Sequence, residues 1–169
     1  IWQGFIIFKA LGFIDALPRI FAVQPEGAAS LQVALAAGQE VPAVLEQIAS
    51  NVAPPISHRV SGYHAYRSIM ESGGGAVAVS DAEMMAALKD LASREGIYCE
   101  AASAAALAGI RRALATGLLT ADEAEHGIVG ILTSHGLKNS LALSSVFSPP
   151  PQVEGTWEAL RPLLGARSE

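Results

Sequence analysis

Apolar and polar positions follow two rhythms along this chain, one of period 3.6 and one of short unbroken apolar runs, and the places where they change outline its elements. Ile1, Phe5, Phe8, Leu11 and Gly12 recur at helical spacing, widened by Ile6, Ile7 and Phe13, and Pro18 ends the run; this predicts a mostly buried helix from Ile1 to about Leu17. The segment 19–24 is short, β-branched and aromatic and stops at Pro25-Glu26-Gly27, the profile of a buried parallel strand entering a turn. The stretch 28–37 then reads as a helix closed by Gly38. Between Ala49 and Tyr63 the periodicity lapses around Pro54-Pro55, Ser57, Ser61 and Gly62, predicting an irregular excursion of the kind that often lines sites, before a helix from about Tyr63 to Glu71.

The second half repeats the alternation. Ser72-Gly73-Gly74-Gly75 leads into a strand over 76–79, after which Ser80 and Glu83 stand at capping-box spacing for a helix running to about Arg94, closed by Glu95-Gly96. Ile97-Tyr98-Cys99 predicts a short strand that delivers Glu100 at its C-terminal end, ahead of an alanine-dense helix from Ala101 to about Ala115 whose small side chains imply close packing. The most strand-like segment is 128–133, and the polar turn 134–139 follows it. The remainder, through Pro149-Pro150-Pro151 and Trp157, reads as a tail with one short helix, so a body of 1–140 and a tail of 141–169 are expected. Strands alternating with helices predict an α/β fold, with a mainly parallel sheet and helices on both faces. In such sheets ligands sit beyond the carboxyl ends of the strands, where Glu100 and Thr133 fall.

Charge and composition narrow the partners. The formal net charge is −5, with 11 Lys and Arg against 16 Asp and Glu, and no basic run exceeds Arg111-Arg112, so no surface for tracking nucleic-acid phosphates is expected and a small molecule is the better match. Lys9, Asp15, Pro18 and the Arg111-Arg112 pair interrupt the apolar stretches before the roughly twenty residues a membrane helix needs. The single cysteine, Cys99, leaves no internal disulfide and no cysteine-built metal site, which fits a reducing, cytoplasmic setting. Ile1-Trp2-Gln3-Gly4-Phe5 carries no initiator methionine, basic region or cleavage site; it reads as a cut rather than a signal peptide.

Parallel pairing of the predicted strands brings Glu100 and Thr133 to one sheet edge, near Ser103 and the Ser134-His135-Gly136 turn. That is either a polar site or a set of ordinary caps and loop hydrogen bonders. His58, His64, His126 and His135 show no zinc-binding spacing, so no metal is expected. Gly73-Gly74-Gly75 precedes a strand rather than opening a helix, the wrong order for a phosphate loop. Capping accounts for Ser80 and Glu83, and macrodipole complementarity for Asp81.

Several segments taken together resemble the threonine synthases, members of the fold-type II pyridoxal-phosphate (PLP) enzymes: Leu17-Pro18-Arg19 with Val23-Gln24-Pro25-Glu26-Gly27; Glu71-Ser72-Gly73-Gly74 with Ala78-Val79-Ser80-Asp81; the run from Glu95 to Ala105; and Leu132-Thr133-Ser134-His135-Gly136-Leu137-Lys138. The resemblance spans roughly Ile1 to Asn139 and implies the C-terminal portion of such an enzyme. It implies PLP as cofactor, O-phosphohomoserine and water as substrates, threonine and phosphate as products, and a homo-oligomeric full-length protein. Thr133 stands where the family's threonine hydrogen-bonds the pyridine nitrogen; Glu100 and Ser103 stand near cofactor or substrate, and Ser50-Asn51-Val52 where backbone passes the ring, giving Asn51 as a further candidate. Ser134 replaces a common glycine and Ala101 a common proline. The family's Schiff-base lysine and phosphate-binding loop match nothing here, since Lys9, Lys89 and Lys138 fall outside that motif, so the chain alone is expected to be inactive. Alternatives are a threonine or serine dehydratase, a diaminopropionate ammonia-lyase, a cysteate-synthase-like relative, or a noncatalytic remnant serving as an interaction module.

Overall fold

Two parallel strands, β1 (Phe21–Pro25) and β2 (Gly75–Val79), form the sheet of the computed structural model, which describes residues 1–139, 147–148 and 151–165. They pair in register from Phe21 opposite Gly75 to Pro25 opposite Val79. Because side chains alternate along a strand, Phe21, Val23, Val77 and Val79 face one way. There they pack with Met84, Leu88 and Leu91 of α4 (Asp81–Glu95) and with Ala104, Ala105 and Ala108 of α5 (Ala101–Ala115). Ala22 and Ala76 face the other way, onto Leu31 and Ala34 of α2 (Ser30–Ala36) and Tyr66 and Ile69 of α3 (Tyr63–Glu71). The parallel sheet with helices on both faces is therefore present.

Local chemistry sets most helix ends. The Ser80 hydroxyl accepts the Glu83 amide while the Glu83 carboxylate accepts the Ser80 amide, and Gly96 closes α4 with a left-handed φ of 68°. Thr120 and Glu123 repeat the box at the short helix α6 (Ala121–Glu125). The alanine density of α5 has the anticipated use. At Gly109 the helix rides so close to β1 that a Cβ would lie 2.8 Å from Val23 Cγ1 and closer still to Cγ2.

Three expectations are corrected. The first helix, α1 (Trp2–Ala10), is shorter than Ile1–Leu17 and, apart from Trp2, not buried: Phe8 is half exposed, and Phe13 beyond it is 71 % exposed. Helical spacing reveals an apolar stripe but not what covers it; here the indole N–H of Trp2 donates to Glu71 Oε2 at 2.9 Å, while the stripe faces outward. The predicted strands 97–99 and 128–133 form no ladder. Cys99 and His135 make a single antiparallel bridge, and 128–134 is irregular. β-Branched composition favours a pleated surface only where a neighbour pairs with it, and Gly130 interrupts the run. A helix spans Trp157–Gly165; of the expected tail, residues 141–146, 149–150 and 166–169 lie outside the described residues. Among the described residues no helix is long and apolar enough to cross a membrane.

Candidate functional site

The site grows from the first turn of α5. Helical side chains lean toward the N-terminus, which sends the Ser103 hydroxyl back over the segment that follows residue 128. Ser103 Oγ accepts two consecutive amides, Thr133 N–H at 3.1 Å and Ser134 N–H at 3.0 Å. It also lies 3.3 Å from Thr133 Oγ1 and 3.5 Å from the Ser134 carbonyl. The Glu100 amide donates to that same carbonyl at 3.2 Å, and the Gly136 amide to the Tyr98 carbonyl at 3.0 Å. A side chain at Gly136 would place its Cβ 2.7 Å from the Tyr98 ring, and the ring meets His135 edge to face, centroids 5.5 Å apart. A serine clamp and one bridge, rather than a sheet edge, thus fold 132–136 against 97–100.

Between these segments lies an open depression of about 450 Å³, lined by Ile97, Tyr98, Leu132, Thr133, Ser134 and His135 together with Gly96 and Cys99. Thr133 is exposed there, whereas Ser103 and Glu100 are buried beneath it, 2 % and 7 % exposed. Glu100 is the N-cap residue of α5 without a side-chain cap bond, so its carboxylate acts on the helix through the macrodipole. Burial pushes the Cys99 thiol upward, and the neighbouring Glu100 charge adds to that. Among the described residues no Asp or Glu lines the depression.

Of the candidates read from sequence, Glu100, Ser103 and Thr133 come together. Asn51 is exposed and does not line the depression; its amide donates to Asp81 Oδ2 at 3.4 Å, beside Ser50 Oγ donating to Asp81 Oδ1 at 2.7 Å. Asp81 therefore tethers the irregular Ser50–Asn51 segment to the start of α4, a role that macrodipole reasoning alone misses. Its place just past the C-terminal end of β2, where loops converge, was the available signal. Ser134 serves through its backbone N–H and C=O, which explains why a residue other than glycine is accommodated there. Among the described residues no group of three or more His, Cys, Asp or Glu could hold a metal.

A parallel α/β body whose polar residues gather where a buried helix begins is an architecture that binds small ligands at that end. The family described as pyridoxal-phosphate dependent enzyme matches residues 4–133, and the chain belongs to it; its cofactor is pyridoxal phosphate. The resemblance to threonine synthases holds as well. The chain is 37 % identical to threonine synthase of Methanosarcina acetivorans, over 100 % of this chain and 41 % of that protein. It is 36 % identical to threonine synthase of Methanocaldococcus jannaschii, over 97 % and 40 %. It thus spans about two-fifths of the length of these curated relatives. Maize serine racemase superposes with a TM-score of 0.59 at 20 % identity, covering 83 % of this chain and 42 % of that one. The T.th. threonine deaminase superposes with a TM-score of 0.54 at 22 % identity, covering 84 % and 44 %. At such identities these two likenesses speak for the fold alone.

The residues of the depression suit the family's cofactor. A threonine hydroxyl both donates and accepts, so it can meet a pyridine nitrogen as a neutral partner, and among the described residues that line the depression none is a carboxylate that would hold a proton on the ring.

Proposed function

We propose that this chain is part of a PLP-dependent enzyme of threonine-synthase type that converts O-phosphohomoserine and water to threonine and phosphate. The observation that carries the cofactor side is the Thr133 hydroxyl, open to the depression and anchored from below by Ser103. Similarity to threonine synthases along the whole chain supports the substrate side.

When bound, the cofactor supplies an electron sink for negative charge developing on an amino-acid substrate. Thr133 would donate to the ring nitrogen, with Glu100 and Ser103 in the floor beneath it; Asn51, on the segment steadied by Asp81, lies outside the depression and would meet the cofactor only from beyond that lining. Lys9, Lys89 and Lys138 do not line the depression. On this reading the attaching amine and the grip on the cofactor phosphate lie outside the residues of this depression, residues 1–169 by themselves would hold the cofactor noncovalently and without turnover, and the enzyme is a cytoplasmic homo-oligomer.

The test is phosphate release from O-phosphohomoserine by the enzyme that carries this segment, with threonine and serine offered in parallel. Phosphate and threonine appearing together support the reading. Formation of a 2-oxo acid from threonine or serine, without phosphate release from O-phosphohomoserine, would replace it with a dehydratase.

A further inference from the structure

The geometry points to Ser103 as a positioning residue that fixes the sense of the Thr133 hydroxyl, so that the depression presents an outward O–H donor selective for an unprotonated aromatic nitrogen; this rests on the cofactor reading above. A serine hydroxyl has one proton to give and two acceptor sites. At Ser103 both acceptor sites are filled, by the amides of Thr133 and Ser134 at 3.1 and 3.0 Å. The side chain is 2 % exposed, which leaves solvent little access to it. Ser103 is left with its proton, and two acceptors are within reach: Thr133 Oγ1 at 3.3 Å and the Ser134 carbonyl at 3.5 Å. That carbonyl is the farther of the two and already accepts the Glu100 amide. The proton of Ser103 therefore goes to Thr133 Oγ1.

An oxygen receiving that proton must aim its own elsewhere, and the open side of Thr133 is the depression. The β-branched side chain holds few rotamers, so the direction persists. An O–H pointing outward pairs with a nitrogen lone pair. It opposes a pyridinium N–H, whose proton would meet another proton. Ser103, which does not touch the ligand, thereby sets the protonation state of the ring that Thr133 touches.

The experiment uses the full chain and two probes: pyridoxine 5′-phosphate, whose alcohol cannot condense with a lysine, and its 1-deaza analogue, in which a C–H replaces the ring nitrogen. Titration calorimetry is expected to show the nitrogen compound binding about 3- to 10-fold more tightly, the range of one neutral hydrogen bond. Thr133→Val should bring the ratio to about one while leaving the affinity for the deaza compound unchanged. Ser103→Ala should also lower the ratio toward one although the Thr133 hydroxyl is still there, with the affinity for the deaza compound unchanged, a combination that mere collapse of the clamp would not produce. The ¹⁵N shift of labelled pyridoxine 5′-phosphate bound to the wild-type chain should report an unprotonated ring at neutral pH; this reading needs no variant and stands even if Ser103→Ala does not fold. A protonated bound ring, or a folded Ser103→Ala with the wild-type ratio, overturns the role of Ser103 and leaves the cofactor reading in place. A wild-type ratio in Thr133→Val, or no binding of either probe, overturns the cofactor reading at this depression and the inference with it.

Discussion

Replacing Gly109 with alanine sets two effects of known size against each other. At an exposed helical position the change is favourable, because alanine exceeds glycine in helix propensity by ~1 kcal/mol. Gly109, however, is the point where α5 meets β1, and the added Cβ would lie 2.8 Å from Val23 Cγ1 and closer to Cγ2. Val23 is β-branched, stiff at χ1 and paired with Val77 in the ladder, so it has little freedom to turn away. Overpacking of this kind costs about 1–3 kcal/mol and more when neither side yields. After subtracting the propensity gain, Gly109→Ala is expected to destabilise by up to about 2 kcal/mol, a fall of as much as roughly 4–8 °C in Tm for a chain of this size. Thermal and urea unfolding followed by circular dichroism measure it. The double variant with Val23→Ala removes the two γ-carbons, and its loss should be smaller than the sum of the single losses by about 1 kcal/mol, since the residues touch. A Gly109→Ala chain that melts higher than wild type, or a double variant that is simply additive, would refute the close packing inferred for α5.

Other outcomes follow from the polar contacts. Two bonds from the Arg112 guanidinium, at 2.9 and 2.6 Å, together with the Ser80 amide and hydroxyl, hold Glu83 down to about 2 against opposing desolvation. Because the folded value is depressed, this contribution is present above the ordinary carboxylate range and is lost as pH falls from about 5 to about 2; urea midpoints across that window should drop in the wild-type chain and flatten in Glu83→Gln. Ser80→Ala removes one half of the capping box and should cost about 1 kcal/mol in the same unfolding assay. Asp81→Ala should speed amide hydrogen exchange at Asn51 while leaving exchange at Val77 unchanged. The outward stripe of Ile7, Phe8, Leu11 and Phe13 should make the isolated chain self-associate, so a sedimentation profile of a single monomer at micromolar concentration would contradict it.

What could be read from sequence divides by the range of the forces involved. The bounds of α3, the start of α4 and the whole of α5 were legible because caps, glycines and helical periodicity act within a few residues. The failure of 97–99 and 128–133 to form strands was not, since a strand is defined by a distant partner, and the one bridge that forms joins Cys99 to His135, beyond the second segment. Glu100, Ser103 and Thr133 were placed together for a reason that proved different in kind: the chain brings them together through the bonding of a buried hydroxyl rather than through adjacent strand ends. The tether from Asp81 to Ser50 and Asn51 spans about thirty residues of separation and leaves no periodic trace.

Cys99 gives this arrangement a clock. It is the sole thiol, 3 % exposed, and it pairs with His135 under the rim of the depression. Burial keeps it protonated as well as hidden, so a thiol reagent in solution reacts only in the moments when 97–100 and 132–136 part. The labelling rate then follows how often and how long the clamp is open, and a molecule seated on Thr133 slows it without the label ever touching it.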